Sequence, residues 1–344
     1  MSGRKKQNKK LWLIPVCAVL AAALAVGFLF LNAMNSEENV QETGGNVDTG
    51  NSSDGTVMWK GKEYLYNDHL SNYLLLGIDT REKAETSVGQ ADAGQADALY
   101  LLSWDRVEKT VIVVTIPRDT MTEIEVFGPG GESLGKSVDH ISLSYAYGDG
   151  GHESCRLAEE AVSNLFYDLP IQGYCAVNLD GIQVLTESVG TLTVTVPNDS
   201  LEEAYPEFAE GAQVTLNEEN TELFVRYRDT DEPQSALART ERQKEYIRAF
   251  GKTVQEQFAG NAAFAADLYT SLEPYMVTSM GNDEFVKLME SATAGSVTGN
   301  WTVPGEGVEG KSYDEYHVDD DALYEKILEM FYKETENSGR GEKP

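Results

Sequence analysis

Three short segments of this sequence concentrate side chains suited to phosphate chemistry. The first is Gly77-Ile78-Asp79-Thr80-Arg81, followed after a polar loop by Asp97. Two carboxylates delivered from neighbouring strand ends can share a hard divalent cation, and magnesium prefers one or two carboxylates with waters and phosphate oxygens. Taken singly, Asp79 reads more simply as a turn cap and Asp97 as a solvated loop acid. The second segment is Ile116-Pro117-Arg118-Asp119, where an apolar strand stops at a proline and an arginine emerges. A guanidinium held there can grip phosphate through two parallel hydrogen bonds. The simpler alternative is an Arg118–Asp119 ion pair closing a turn. The third is Arg226-Tyr227-Arg228, then Arg239-Thr240-Glu241-Arg242-Gln243. On a strand, Arg226 and Arg228 would leave the same face. At a helix start, Arg239 and Gln243 would share a face beside free N–H groups that attract an anion. Arginines there oppose the helix dipole unless an anion compensates them; ordinary surface charge is the alternative.

Together these segments suit a pyrophosphate bound with a divalent cation. No GxxxxGK[ST] phosphate cradle is present, which argues against a nucleotide donor. Neither CxxC nor HExxH occurs, and the four histidines are scattered, which argues against a zinc site. Cys155 and Cys175 lie in apolar-patterned stretches and read as buried free thiols, with a disulfide as the alternative.

The elements that must position these groups follow from periodicity. Residues 73–78, 98–104 and 111–116 read as strands, the last a continuous β-branched run of the kind buried on both faces. Further strands are predicted over 174–178, 192–197 and 223–228, and helices over 152–166, 179–189 and 240–258. Segments 82–96 and 127–135 read as loops. Strands alternating with helices predict an α/β fold of α+β mixed character, with a central mixed β-sheet flanked by helices on both faces.

The N-terminus carries Arg4, Lys5, Lys6, Lys9 and Lys10, and residues 11–31 carry no charge. About 20 apolar residues span a bilayer as a helix, and a basic flank keeps the N-terminus cytoplasmic. The run exceeds a signal-peptide core, so an uncleaved transmembrane helix at 11–31 is expected after a cytoplasmic tail at 1–10. Residues 32–64 read as a flexible extracytoplasmic tether, 65–335 as the catalytic domain, and 336–344 as a disordered tail. The chain holds 27 basic and 57 acidic residues, a net charge of −30. Such acidity disfavours nucleic acid as a partner and makes clustered arginines more informative.

The segments LLLGIDTR, ADALYLLSWD, VVTIPRDT, ISLSYAYG, VNLDGIQVLTESVG, FVRYR and RTERQ, in that order over about residues 70–260, resemble the LytR-CpsA-Psr family. The resemblance implies a transferase outside the membrane. It would move an anionic glycopolymer, such as a teichoic acid or capsular polysaccharide, from a polyprenyl-pyrophosphate carrier to peptidoglycan, forming a phosphodiester. By motif position, Asp79 and Asp97 are the implied magnesium ligands. Arg81, Arg118, Arg226, Arg228, Arg239 and Gln243 are the implied pyrophosphate grip, and an apolar channel would hold the prenyl tail. Arg118, Asp97 and Asp119 are the expected catalytic residues.

The sequence departs from the family pattern at Ala236, usually acidic, at Gln95, usually arginine, and at His140-Ile141-Ser142, usually Lys-Ile-Asn. The loop between Asp79 and Asp97 is lengthened. The alanine removes one candidate for orienting or deprotonating the acceptor; Asp119 can substitute, or the magnesium-bound site can suffice. A polyprenyl-pyrophosphate hydrolase and a non-catalytic polyprenyl-phosphate-binding regulatory module are the competing readings.

Overall fold

A computed structural model describes residues 56–335, apart from 84, 218, 229–234, 259–260, 262, 295 and 312. The predicted tail 1–10, span 11–31, residues 32–55 of the tether and tail 336–344 lie outside the described residues. Among the described residues no helix is long and apolar enough to cross a membrane.

The chain opens with an antiparallel pair, β1 (Thr56–Trp59) and β2 (Lys62–Tyr66). Residues 56–64 therefore belong to the folded body, although the sequence places them in the tether. Their indole and phenol rings find partners near the C-terminus, and Trp59 packs edge-on against Tyr324 at 4.8 Å. Three long strands follow: β3 (Leu70–Ile78), β4 (Ala96–Asp105) and β5 (Thr110–Ile116). They are buried almost throughout, as their β-branched and leucine-rich runs require.

An antiparallel hairpin comes next, β6 (Met121–Phe127) and β7 (Ser133–His140). The sequence had suggested only a loop across 127–135. Two helices, α1 (Leu143–Ala146) and α2 (His152–Leu165), lead to β8 (Gly173–Val177) and α3 (Leu179–Val189). Asn178 caps α3 by accepting from the Gly181 backbone N–H at 3.2 Å. The pair β9 (Leu192–Thr195) and β10 (Gln213–Leu216) precedes α4 (Thr221–Arg226) and the long α5 (Ser235–Phe258). The remainder comprises α6 (Ala263–Leu272), β11 (Met276–Thr278), α7 (Asn282–Ala294) and β12 (Ser296–Thr302). A hairpin, β13 (Gly305–Glu309) and β14 (Asp314–Val318), then gives way to α8 (Asp320–Phe331) and β15 (Tyr332–Glu334), which pairs with β2.

The central sheet has six strands in the order β11-β8-β3-β4-β5-β12. It is mixed: β3 is antiparallel to β4 and parallel to β8, while β12 runs parallel to β5. One face packs under α2 and α8 through Leu74, Leu99, Val114, Ala158, Val162, Ile327 and Phe331. The other packs under α3, α5 and α6 through Tyr73, Tyr100, Val113, Ile182, Phe250 and Leu268. Helices thus cover both faces, as the sequence predicted. Cys155 and Cys175 are buried and free, and burial pushes the Cys175 thiol up to about 12.

Candidate functional site

The sheet topology gathers the first two motifs at one end. Because β4 runs against β3 and β5, its beginning lies beside their ends; Ile78 pairs with Ala96, and Leu99 with Ile116. A register shift between Gly77 and Ile78 sets Asp97 at an irregularity in the β3–β4 ladder. Asp79, Asp97 and Arg118 therefore converge. Asp97 is at the start of a strand, whereas Asp79 and Arg118 follow strand ends.

Arg118 is the hub of this group. It donates through Nη1 to Asp97, through Nε to Asp119 at 3.1 Å and through Nη2 to the Gln95 side-chain oxygen at 2.9 Å. The backbone turn beneath it closes when Thr120 donates its N–H and hydroxyl to the Pro117 carbonyl, at 3.1 and 2.6 Å. Ser142 braces both sides: its N–H donates to Arg118 O at 3.2 Å, and its carbonyl accepts from Ala96 N–H at 3.1 Å. Position 95, where the family pattern has a cation, thus offers Arg118 a neutral acceptor. Gln95 also donates its N–H to the Asp79 carboxylate at 2.6 Å.

The third motif is built differently from its predicted form. Residues 221–226 are a helix, so Arg226 closes α4 and Arg228 lies beyond it; the two do not share a strand face. The short apolar run Leu223-Phe224-Val225 carries no periodicity that separates strand from buried helix. Helix α5 starts at Ser235, five residues before the predicted 240, which places Arg239 in its second turn. Free helix-terminal N–H groups therefore do not account for Arg239. The local conflict has another source, because Arg239 is fully buried, at 0 % exposure, and its Nε and Nη1 have no hydrogen-bond partner among the described residues. Burial holds its pKa well below the usual arginine value, and the charges of Arg118, Arg228 and Arg226 push it the same way against the opposing pull of Asp119. Buried polar groups in folded proteins are nearly always paired. A buried guanidinium within reach of three others, with Asp119 the opposing charge, is an arrangement suited to an anion.

Arg228, two residues past the end of α4, donates to Ser235 Oγ at 2.8 Å and to the Asp314 carboxylate of β14 at 3.2 Å. Arg226 pairs with Glu222. Arg81 is more than half exposed and bridges Asp180 at 3.0 Å and Glu222 at 2.6 Å, so it stands at the rim. Gln243 is buried and donates to the Val225 carbonyl at 3.2 Å. Its amide fastens α5 to α4. Arg242 is equally buried but satisfied: it donates to the carbonyls of Phe224 at 2.8 Å and of Tyr227, and to Ser200. That guanidinium pins the backbone on either side of Arg226. The positioning roles of Gln95, Arg242 and Asp314 were not evident from sequence, since an arginine that clamps carbonyls and one that awaits a ligand are the same letter.

Asp79 and Asp97 offer a hard-oxygen donor set. Asp97 Oδ2 is buried without a partner, and burial raises the Asp79 pKa against the opposing pull of the Gln95 N–H, Arg118 and Arg226. An orphaned carboxylate oxygen beside a second carboxylate fits a magnesium-type ion. Among the described residues no group of three or more acidic, His or Cys side chains could hold a metal, so such an ion would draw its remaining ligands from water or phosphate.

Gly94 tests how tightly Asp79 is set. Its φ is +85°, and a Cβ there would stand 2.5 Å from Thr80 Cγ2 and 2.8 Å from Asp79 Oδ1. Gly94→Ala is expected to cost about 1–2 kcal/mol of stability from left-handed strain and to lower transfer activity about tenfold or more by displacing the carboxylate. Gly190→Ala is the control, since φ is +81° with nothing within 4 Å. It should lose comparable stability and keep its activity; equal activity losses in the two variants would contradict the assignment of Asp79.

The LytR_cpsA_psr family model matches residues 30–330. Polyisoprenyl-teichoic acid–peptidoglycan teichoic acid transferase TagT of Bacillus subtilis is 29% identical over 259 residues, covering 72% of this chain and 71% of that protein. The transferase TagU of Bacillus licheniformis is 27% identical over 254 residues, covering 72% and 71%. Among solved structures, B. subtilis TagV matches with a TM-score of 0.57 at 22% identity, over 76% of this chain and 94% of that one. A structure of TagT bound to LI-WTA matches with a TM-score of 0.56 at 20% identity, over 76% and 88%. These two show the same mixed α/β fold. With the family model spanning most of the chain and the fold shared, this protein belongs to the LytR_cpsA_psr family.

Proposed function

We propose that the chain is an extracytoplasmic phosphotransferase that moves an anionic glycopolymer from a polyprenyl-pyrophosphate carrier to peptidoglycan. The observation that carries this reading is the buried, unpartnered Arg239 guanidinium amid Arg118, Arg226 and Arg228. A diphosphate provides enough negative charge and enough acceptor oxygens to satisfy such a group. The names of the relatives, teichoic acid–peptidoglycan transferases, supply the substrate class. The uncharged run at 11–31 would anchor the domain in the cytoplasmic membrane, the bilayer that also holds the carrier.

In this reading an acceptor hydroxyl of peptidoglycan attacks the phosphorus that bears the glycan. A new P–O bond forms, the P–O–P bridge breaks, and its electron pair leaves with polyprenyl phosphate. Phosphoryl transfer demands mainly positioning and charge stabilisation, which the arginines provide in a water-poor setting. Asp119, which accepts from Arg118 Nε, would take the acceptor proton in this reading. Asp79 and Asp97 would hold magnesium, which when bound adds neutralising charge on the phosphate oxygens.

The test incubates the purified full chain with magnesium, a polyprenyl-diphosphate glycan and peptidoglycan fragments. Glycan covalently linked to peptidoglycan, with its phosphate retained, is the expected product. Polyprenyl phosphate released without any acceptor would point to a hydrolase. Tight lipid binding with no product, and Asp97→Ala harmless in cells, would point to a regulatory module.

A further inference from the structure

A second orphaned donor lies close to Arg239. Tyr100 is on β4 and is 1 % exposed, and its hydroxyl has no hydrogen-bond partner. Its ring belongs to the apolar cluster that also contains Tyr246, Ile247 and Phe250 of α5. Arg239, Gln243, Tyr246 and Phe250 recur at helical spacing and so share the face of α5 turned toward that cluster. Arg239 is near enough for its charge to act on the phenol, although burial dominates and raises the Tyr100 pKa. Across the strand pair Tyr100 faces Thr115, and its hydroxyl bonds to none of these neighbours.

Two neighbouring side chains thus present buried donors that no hydrogen-bond acceptor among the described residues satisfies. Leaving a buried phenol unpaired is unfavourable, and phenylalanine would fill the same apolar space without that penalty. The two donors also lie at the inner end of the cluster. Arg81 is 56 % exposed at the rim, whereas Arg239 is fully buried and Tyr100 lies within the apolar cluster. A diphosphate spanning that gradient would put its inner phosphate, the one nearest apolar surroundings, on the side of an apolar ester.

We propose that Tyr100 is a further substrate-binding residue, its O–H donating to the carrier-side phosphate seated on Arg239. This rests on the reading of the site as a lipid-diphosphate site. When the P–O–P bridge breaks, the leaving polyprenyl phosphate gains charge on that phosphate, and the Tyr100 hydrogen bond stabilises it. The outer phosphate, bearing the glycan, faces the acceptor.

The experiment measures binding of geranylgeranyl diphosphate and geranylgeranyl monophosphate to the full chain in detergent, for wild type and Tyr100→Phe, alongside thermal unfolding. The expected result is binding of both probes by wild type and about tenfold weaker binding of both by Tyr100→Phe, equivalent to about 1.4 kcal/mol. The monophosphate should lose the same factor, because it retains the phosphate Tyr100 holds. The variant's unfolding temperature should be unchanged or higher. Equal affinities in variant and wild type overturn the role of Tyr100 while leaving the lipid-phosphate site intact. So does a loss confined to the diphosphate. Failure of wild type to bind either probe overturns the site reading itself, and this proposal with it.

Discussion

Arg239→Met is expected to make the protein more stable and nearly inactive. In the free protein the guanidinium is fully buried, carries two unpartnered nitrogens, and sits among Arg118, Arg226 and Arg228. Buried charge with no hydrogen-bonded partner is costly, and replacing buried ionic groups by apolar ones of similar volume stabilises by roughly 1–4 kcal/mol. A gain of about 2 kcal/mol would raise the melting temperature by several degrees in a domain of this size. Under the proposed function, the same substitution removes donors that would meet charge developing on the leaving phosphate. Loss of one such donor typically costs about 100- to 1000-fold in turnover. Calorimetry and a transfer assay on the same preparation would show the two changes together. Lower stability in Arg239→Met would mean that the guanidinium serves the fold and has no need of an anion.

Arg118→Ala should have the opposite effect on stability and the same effect on activity. Its guanidinium holds Asp97, Asp119 and Gln95 at once, and the Asp97 carboxylate is fully buried. Removing one member of a buried pair strands the other and typically costs about 3–5 kcal/mol. Transfer should fall at least about 100-fold, because the phosphate loses a donor and Asp119 loses its anchor. The double variant Arg118→Ala/Asp97→Ala should recover part of the lost stability, since the fully buried Asp97 carboxylate is no longer left without its partner although Asp119 still is, and none of the activity. If the losses from the two single substitutions simply add, the pair is not coupled as the geometry indicates.

These opposite signs could not be read from the sequence, because burial and pairing distinguish arginines that composition treats alike. The carboxylates and Arg118 were legible because their positions follow from strand ends: long β-branched runs in β3 to β5 specify both-face burial, and the residues flanking them emerge together. Helix α3 was legible over its whole length, from the Asn178 cap to Gly190. Where the signal was local and short, the reading failed. Residues 223–225 are a three-residue apolar run that fits either conformation, so α4 read as a strand. The β6–β7 hairpin lies largely exposed, with Leu134 and Val138 open to solvent, and alternation against a core is the signal it lacks. Strands β1 and β2 are only four and five residues long, and they depend on β15 and Tyr324 from the far end of the chain. Tyr100 reads as one more apolar core position; only its orphaned hydroxyl beside Arg239 sets it apart.

The departures from the family pattern also become physical. Gln95 gives Arg118 a neutral oxygen and Asp79 an N–H, so the exchange of a cation for an amide keeps both side chains in place. Asp314, on the β13–β14 hairpin, brings a carboxylate to Arg228 from a segment far from the motifs. The hairpin is tied to the site through Tyr316, whose N–H donates to Asp119 O at 2.8 Å.

The central claim is that the arginine cluster seats a lipid-linked diphosphate, and a crystal structure of the full chain with a polyprenyl diphosphate and magnesium tests it most directly. The predicted result places both phosphates among Arg118, Arg228 and Arg239, with Arg239 Nε and Nη1 satisfied and the isoprenoid running along the Tyr100 face of the sheet. Phosphates bound elsewhere, with the Arg239 nitrogens still unpartnered, would contradict it.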